Sequence, residues 1–268
     1  MTAPSNEQLR SVWNSTVDWY ISTAETLTSS IYHSLLPVLN LKNAHKIAEA
    51  ACGSGKGISI LLSYLPPEAE VWANDLSDLM IEKALERHLP RTHFIQASND
   101  ALPYEDNFFD RYIANLSLML VPDANTMLRE AYRILALGGI AVFSVWGRRE
   151  NCTSVGLLDK ANSEIAGEDM YPAKRSPFYL NDQDALKQMV RDAGFSKTYS
   201  YYTAAPQGPV GVEESLNFFS HFPKELIMKS QNEETDSRIL ARLRELVSEI
   251  SEREELLMFE ALVIVAHK

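Results

Sequence analysis

An apolar strand that runs straight into a glycine turn and opens a helix restricts this chain to a short menu of folds. The stretch spans Ile47 to Gly57, with Glu49 near the strand end and small residues at Ala51, Gly53 and Gly55. Ile58, Ile60, Leu61 and Leu62 then begin a helical apolar pattern. Residues without bulk let the backbone turn sharply and bring its N–H groups close to a ligand at the helix N-terminus. Two familiar nucleotide loops do not fit. A dinucleotide fingerprint needs a third glycine, and if Ala51 and Gly53 are its first pair, Lys56 stands in that place. A phosphate loop needs Ser or Thr after its lysine, but Lys56 is followed by Gly57.

Strands and helices alternate beyond the turn. Apolar runs predict strands at Ile47–Ala50, Val71–Asn74, His93–Gln96, Arg111–Ala114, Ile140–Trp146, Lys197–Tyr202 and Leu257–Val265. Three-to-four spacing predicts helices over Gly57–Leu65, Asp78–His88, Asp123–Leu135 and Asp182–Ala193, the third capped by Asp123 and ended at Gly138-Gly139. One or two further helices are expected between about Asn6 and Leu41. The order implies an α/β fold with a mostly parallel sheet covered by helices on both faces, and an antiparallel element at its C-terminal edge. Residues 1–268 are expected to form one domain, with 1–41 as a helical cap. The stretches 147–180 and 207–255 exceed the minimal alternation and are expected to be substrate-side insertions, because long connections commonly carry lids or binding loops.

Composition narrows the partners. A formal net charge of -11 repels phosphate backbones, so no nucleic acid is expected to bind. Two cysteines, Cys52 and Cys152, make no disulfide framework, and no His, Cys, Asp or Glu cluster has metal-ligand spacing, so no metal is expected. The N-terminus lacks a basic start followed by an apolar run, and no apolar stretch reaches membrane-spanning length. A cytoplasmic protein is the expectation, with its oligomeric state open.

Three further segments extend the glycine turn. Asp75 ends an apolar strand about twenty residues on, where a carboxylate can accept ribose hydroxyls, although Ser77 or Asp78 is the better cap for the next helix. Next come Ser98-Asn99-Asp100, Leu102-Pro103-Tyr104 and Phe109-Asp110, and after them Asn115-Leu116, Asp123, Arg129-Glu130, Arg133 and Gly138-Gly139. From about Lys46 to Gly147 this ordered set resembles the class I S-adenosylmethionine (SAM) dependent methyltransferases, most of all the UbiE-like and related small-molecule type. The resemblance implies a Rossmann-like sheet of seven strands with the last one antiparallel. It also implies S-adenosyl-L-methionine as cofactor and S-adenosyl-L-homocysteine as product. The cofactor-binding residues it implies are Tyr20, Glu49, Ala51, Gly53, Gly55, Asp75, Leu76, Met80, Ser98, Asn99, Asp100, Asn115 and Leu116. Four departures stand out: Ala51 replaces a glycine, Ser98 replaces the usual Asp, Leu137 replaces a proline, and no histidine stands at Met119 or Leu120.

Methyl transfer from a sulfonium is an in-line displacement that needs alignment and desolvation, and only some acceptors need a base. No catalytic residue is assigned. The six histidines are scattered, and His221, beside aromatics in an insertion, is the one placed in a candidate substrate pocket with Trp13, Trp146 and Phe178. Aromatic faces there suit a small apolar or aromatic acceptor, or hold a sulfonium by cation–π attraction. A protein or RNA methyltransferase and a non-catalytic SAM-binding module are the alternatives.

Overall fold

The computed structural model describes residues 4–167, 176–207, 212–213, 215–216 and 233–268. Seven strands form one sheet: β1 (Lys46–Ala50), β2 (Glu70–Asp75), β3 (Thr92–Gln96), β4 (Phe109–Ala114), β5 (Leu135–Trp146), β6 (Lys197–Pro206) and β7 (Met258–His267). Their order is β3-β2-β1-β4-β5-β7-β6. The first five pair in parallel, and β7 runs antiparallel between β5 and β6. This is the Rossmann-like sheet expected, with the last strand reversed. The strand order changes direction at β1, so a crevice opens beyond the C-terminal ends of β1 and β4, where open α/β sheets bind ligands.

The pleat explains why the central strands read as continuous apolar runs. Tyr112, Phe143 and Ile264 point into the core on one face, while Ile113, Val142 and Val263, the neighbouring positions, point into the core on the other. Both faces are covered, so neither register can be polar. Among the described residues the longer helices are α1 (Asn6–Ser15), α2 (Glu25–Leu35), α3 (Lys56–Leu61), α4 (Asp78–Leu85), α5 (Ala124–Ile134), α6 (Thr153–Ala166), α7 (Gln183–Asp192) and α8 (Glu233–Glu252). The Ser77 hydroxyl caps α4 by accepting from the Met80 N–H at 3.1 Å, and Asp123 caps α5 by accepting from the Asn125 N–H at 3.0 Å.

Gly138-Gly139 does not end a helix. The chain leaves α5 at Leu135, which is fully buried opposite Phe109, and enters β5 directly. Gly138 takes a left-handed φ of 78° where the β4–β5 register shifts, so the glycines accommodate an irregularity inside the strand. The segment 1–41 divides in two. Helix α1 buries no residue, whereas α2 buries Leu27, Ile31, Tyr32 and Leu35 against the sheet and belongs to the core. In the later insertions α6 and α8 pack together, tied by the Arg242–Glu164 ion pair at 2.6 Å. Among the described residues no helix is long and apolar enough to cross a membrane.

Candidate active site

The crevice holds a cavity of about 340 Å³, and a smaller one of about 30 Å³ adjoins it. The glycine turn forms the floor. Ala51, Gly53 and Gly55 take left-handed φ values of 54°, 54° and 79°, which fold the loop tightly after β1. Alanine therefore holds the backbone conformation of the glycine it replaces, at a cost of roughly 1–2 kcal/mol for a residue with a Cβ. Gly53 lines the large cavity. Gly55 does not, because a Cβ there would lie 3.2 Å from the Ala84 Cβ of α4; its role is to let the turn pack.

Asp75, at the end of β2, ties this loop down. Its Oδ2 accepts from the Gly53 N–H and its Oδ1 from the Ser77 N–H, both at 2.9 Å. Burial pushes its carboxyl pKa up, and these backbone bonds oppose the shift. Each oxygen keeps a lone pair for a ligand hydroxyl. Leu76, Met80, Ser98 and Asn99 continue the wall. Asn99 Oδ1 accepts from Asn74 Nδ2 at 2.8 Å, and its own Nδ2 has no partner among the described residues. Asp100 departs from the expectation. It lies off the wall and accepts from Asn6 Nδ2 at 3.3 and 3.2 Å, which fastens α1 to the sheet end.

Tyr20 opens a five-residue π-helical turn, Tyr20–Ala24, of the kind that often marks functional sites. Its ring lies against Gly53, where a Cβ would sit 3.4 Å from Cε1, and its hydroxyl hydrogen-bonds Thr28 Oγ1 at 2.9 Å. Tyr20, Thr28, Ala51 and Asn115 line both cavities, so these four residues stand between them. Glu49 faces the smaller cavity, not the large one. It is buried, its Oε2 accepts from the Tyr32 hydroxyl at 2.6 Å, and desolvation pushes its pKa up to about 8. Asn115 donates to the Thr28 carbonyl at 3.0 Å, and its Oδ1 accepts from the Ser144 hydroxyl at 2.8 Å. Leu116, at φ 50°, donates its N–H to the same Ser144 oxygen.

The far end of the cavity is apolar, walled by Leu9, Trp13, Leu120, Trp146, Val155 and Phe259. Phe178 is not part of the wall. It is buried behind Trp146 with ring centroids 5.2 Å apart, so it props that indole from outside. His221 lies outside the described residues. Beyond Trp146 the chain is clamped by Glu260, whose carboxylate accepts from the Arg148 N–H at 2.9 Å and from Asn151 Nδ2 at 2.7 Å.

Ten of the thirteen expected cofactor residues thus line the large cavity, and Glu49, Gly55 and Asp100 do not. Sequence reasoning missed Asn6, Trp19, Thr28, Ser117, Ser154 and Gln207. Ser117 follows Asn115-Leu116 and could have been found by extending that segment. Gln207 carries no local signal, because only strand pairing brings it beside Leu257. On the described part of the wall, Tyr20 and Asp75 are the only titratable side chains. Among the described residues no group of three His, Cys, Asp or Glu could hold a metal ion.

Comparison with known proteins places this geometry. Residues 48–143 match the family model described as "Methyltransferase domain". The chain is 28% identical over 193 residues to the ubiquinone/menaquinone biosynthesis C-methyltransferase UbiE of Pasteurella multocida, a match that spans 66% of this chain and 71% of that one. Its fold superposes on the YcgJ protein of Bacillus subtilis with a TM-score of 0.56 at 13% identity, covering 88% of this chain and 97% of the other. It also superposes on phosphoethanolamine N-methyltransferase 2 of Haemonchus contortus, solved with phosphomonomethylethanolamine and S-adenosylhomocysteine. There the TM-score is 0.56 at 16% identity, over 89% of this chain and 52% of that one.

Proposed function

We propose that this chain, which is a class I SAM-dependent methyltransferase, delivers the methyl group to a small, largely apolar or aromatic acceptor by positioning and exclusion of water. The observation that carries the reading is one cavity with two chemically distinct ends. Its polar end holds Asp75, Ser98 and Asn99; its other end is aromatic and aliphatic.

The residues present fit the cofactor. The Asp75 oxygens would take the ribose hydroxyls, and Ser98 with the free Asn99 amide would meet the adenine edge between Leu76 and Met80. Ala51, Gly53, Asn115 and Leu116 would hold the methionyl part, with Glu49 in the adjoining pocket placed for its ammonium group. When bound, SAM supplies an electrophilic methyl group on a sulfonium. The Tyr20 ring, held by Thr28 and packed on Gly53, lines both cavities and would attract a cation by its π-system. No described side chain at the apolar end can serve as a base, which favours acceptors that are nucleophilic without one. A wall of this kind aligns the acceptor and keeps water out.

The covering elements are α1 and those described parts of the two insertions that reach the wall, at Ser154, Val155, Pro177 and Gln207. Helix α1 brings Asn6, Leu9 and Trp13 to the wall while burying nothing, as a lid would. The test is transfer of a radiolabelled methyl group from SAM into a cell extract, followed by separation by size. Label in solvent-extractable small molecules is the expected result. Label in protein or RNA would refute the acceptor class, and binding of SAM without transfer would refute the activity.

A further inference from the structure

Among the described residues at the apolar end, Gln207 and Ser154 are polar and have no part in the methyl-transfer reading. Gln207 follows the last residue of β6, and its backbone N–H donates to the Leu257 carbonyl at 2.7 Å. The residue is 5% exposed and lines the large cavity. Its Oε1 accepts from the hydroxyl of Ser154, a fully buried residue in the first turn of α6. Backbone and carboxamide oxygen are both fixed, so the amide plane is fixed as well. The two N–H bonds of Nε2 have no partner among the described residues. Trp146, Val155 and Phe259 share the cavity wall with Gln207, and none of their side chains can accept a conventional hydrogen bond.

Nε2 is open to the cavity and not enclosed by protein, so a ligand that fills the cavity removes it from water and must itself supply the partner. The missing partner is an acceptor, because Nε2 can only donate. It is uncharged, because no described charged side chain lines this end to offset a buried charge. We infer that the Gln207 carboxamide determines specificity by hydrogen-bonding a carbonyl oxygen on the apolar acceptor, with Ser154 as the residue that positions it. This rests on the reading that the acceptor occupies the apolar end.

The test uses the full chain and two probes of nearly equal shape, 2-acetylnaphthalene and 2-isopropylnaphthalene, measured by equilibrium dialysis in the presence of S-adenosylhomocysteine. Gln207→Leu should weaken the ketone about three- to tenfold, the scale of one net hydrogen bond, and leave the hydrocarbon within about twofold. Ser154→Ala should weaken the ketone selectively and by less, and it carries the same comparison if Gln207→Leu fails to fold. Unchanged ketone affinity in the folded variant, or equal losses for both probes, would overturn the assignment while leaving the acceptor site intact. Failure of both probes to bind the wild-type protein would overturn the acceptor reading and this inference with it.

Discussion

Replacing Glu49 by Gln should stabilise the folded protein by an amount that grows with pH. Glu49 is 4% exposed, and among the described residues no cation pairs with it. Its contact is the Tyr32 hydroxyl at 2.6 Å, which only partly offsets the desolvation that holds its pKa near 8, against an ordinary 4.5. Between those values the folded protein keeps a proton that the unfolded chain releases. Stability is therefore fully present below pH 4.5 and is lost as pH rises toward 8. At 1.36 kcal/mol per unit, the gap of 8 − 4.5 units corresponds to roughly 5 kcal/mol at most above pH 8, and about 3 kcal/mol at pH 7. Glutamine keeps an acceptor for Tyr32 and does not titrate. Urea unfolding at pH 5 and pH 8.5 should show the advantage of Glu49→Gln widening by about 4 kcal/mol. A difference that stays constant within about 1 kcal/mol would refute a buried, proton-holding Glu49.

Asp75→Ala should weaken SAM binding by roughly 1–3 kcal/mol in isothermal titration, since it removes the proposed ribose acceptor and frees the Gly53 N–H. Gly57→Ala should destabilise the fold by roughly 1–3 kcal/mol, because a Cβ there would lie 2.7 Å from the Tyr32 ring; a denaturation midpoint equal to wild type would show that α3 shifts freely. Deleting residues 1–15 should leave the circular dichroism melt nearly unchanged, since α1 buries no residue, yet reduce methyl transfer by at least about tenfold if α1 closes the site. A folded truncation with full turnover would sink the lid.

Much of the fold was legible because two periodicities were strong. Strands buried on both faces read as apolar runs, and the glycine turn, Asp75 and Asn115-Leu116 kept their order along the chain and met at one sheet end. What misled was local chemistry with two solutions. Gly138-Gly139 is a helix stop by composition, yet burial of Leu135 opposite Phe109 is better satisfied by starting the strand early. Asp100 and Phe178 looked like site residues, but each has a partner brought in from distant sequence, Asn6 for one and Trp146 for the other. Nothing near them in the chain announces those contacts. The N-terminal segment read as one cap because α1 and α2 have similar apolar spacing. Only the packing of Ile31 and Leu35 separates core helix from cover.

The topology also divides the labour between the two ends of the site. The proposed cofactor residues come from the ends of β1, β2 and β4 and the loops that follow, all parallel neighbours whose register fixes Asp75 against the glycine turn. The described wall of the apolar end comes from the end of β5, the end of β6 and the start of β7, with α6, α1 and Leu120 in the loop after β4. Because β7 is reversed, its first residues reach the crevice where its neighbours' last residues do, so Phe259 stands beside Trp146 at 5.4 Å. The Glu260 clamp on Arg148 and Asn151 then fixes the exit of the chain from β5 independently of the glycine turn. No hydrogen bond or ion pair among the described residues links Ser154 or Gln207 to the glycine loop, so substitutions at these two positions need not move Asp75 or Gly53. On the proposed reading, this separation leaves the cofactor residues in place while the acceptor end varies, and Gln207 and Ser154 are where acceptor preference should be changeable without loss of SAM binding.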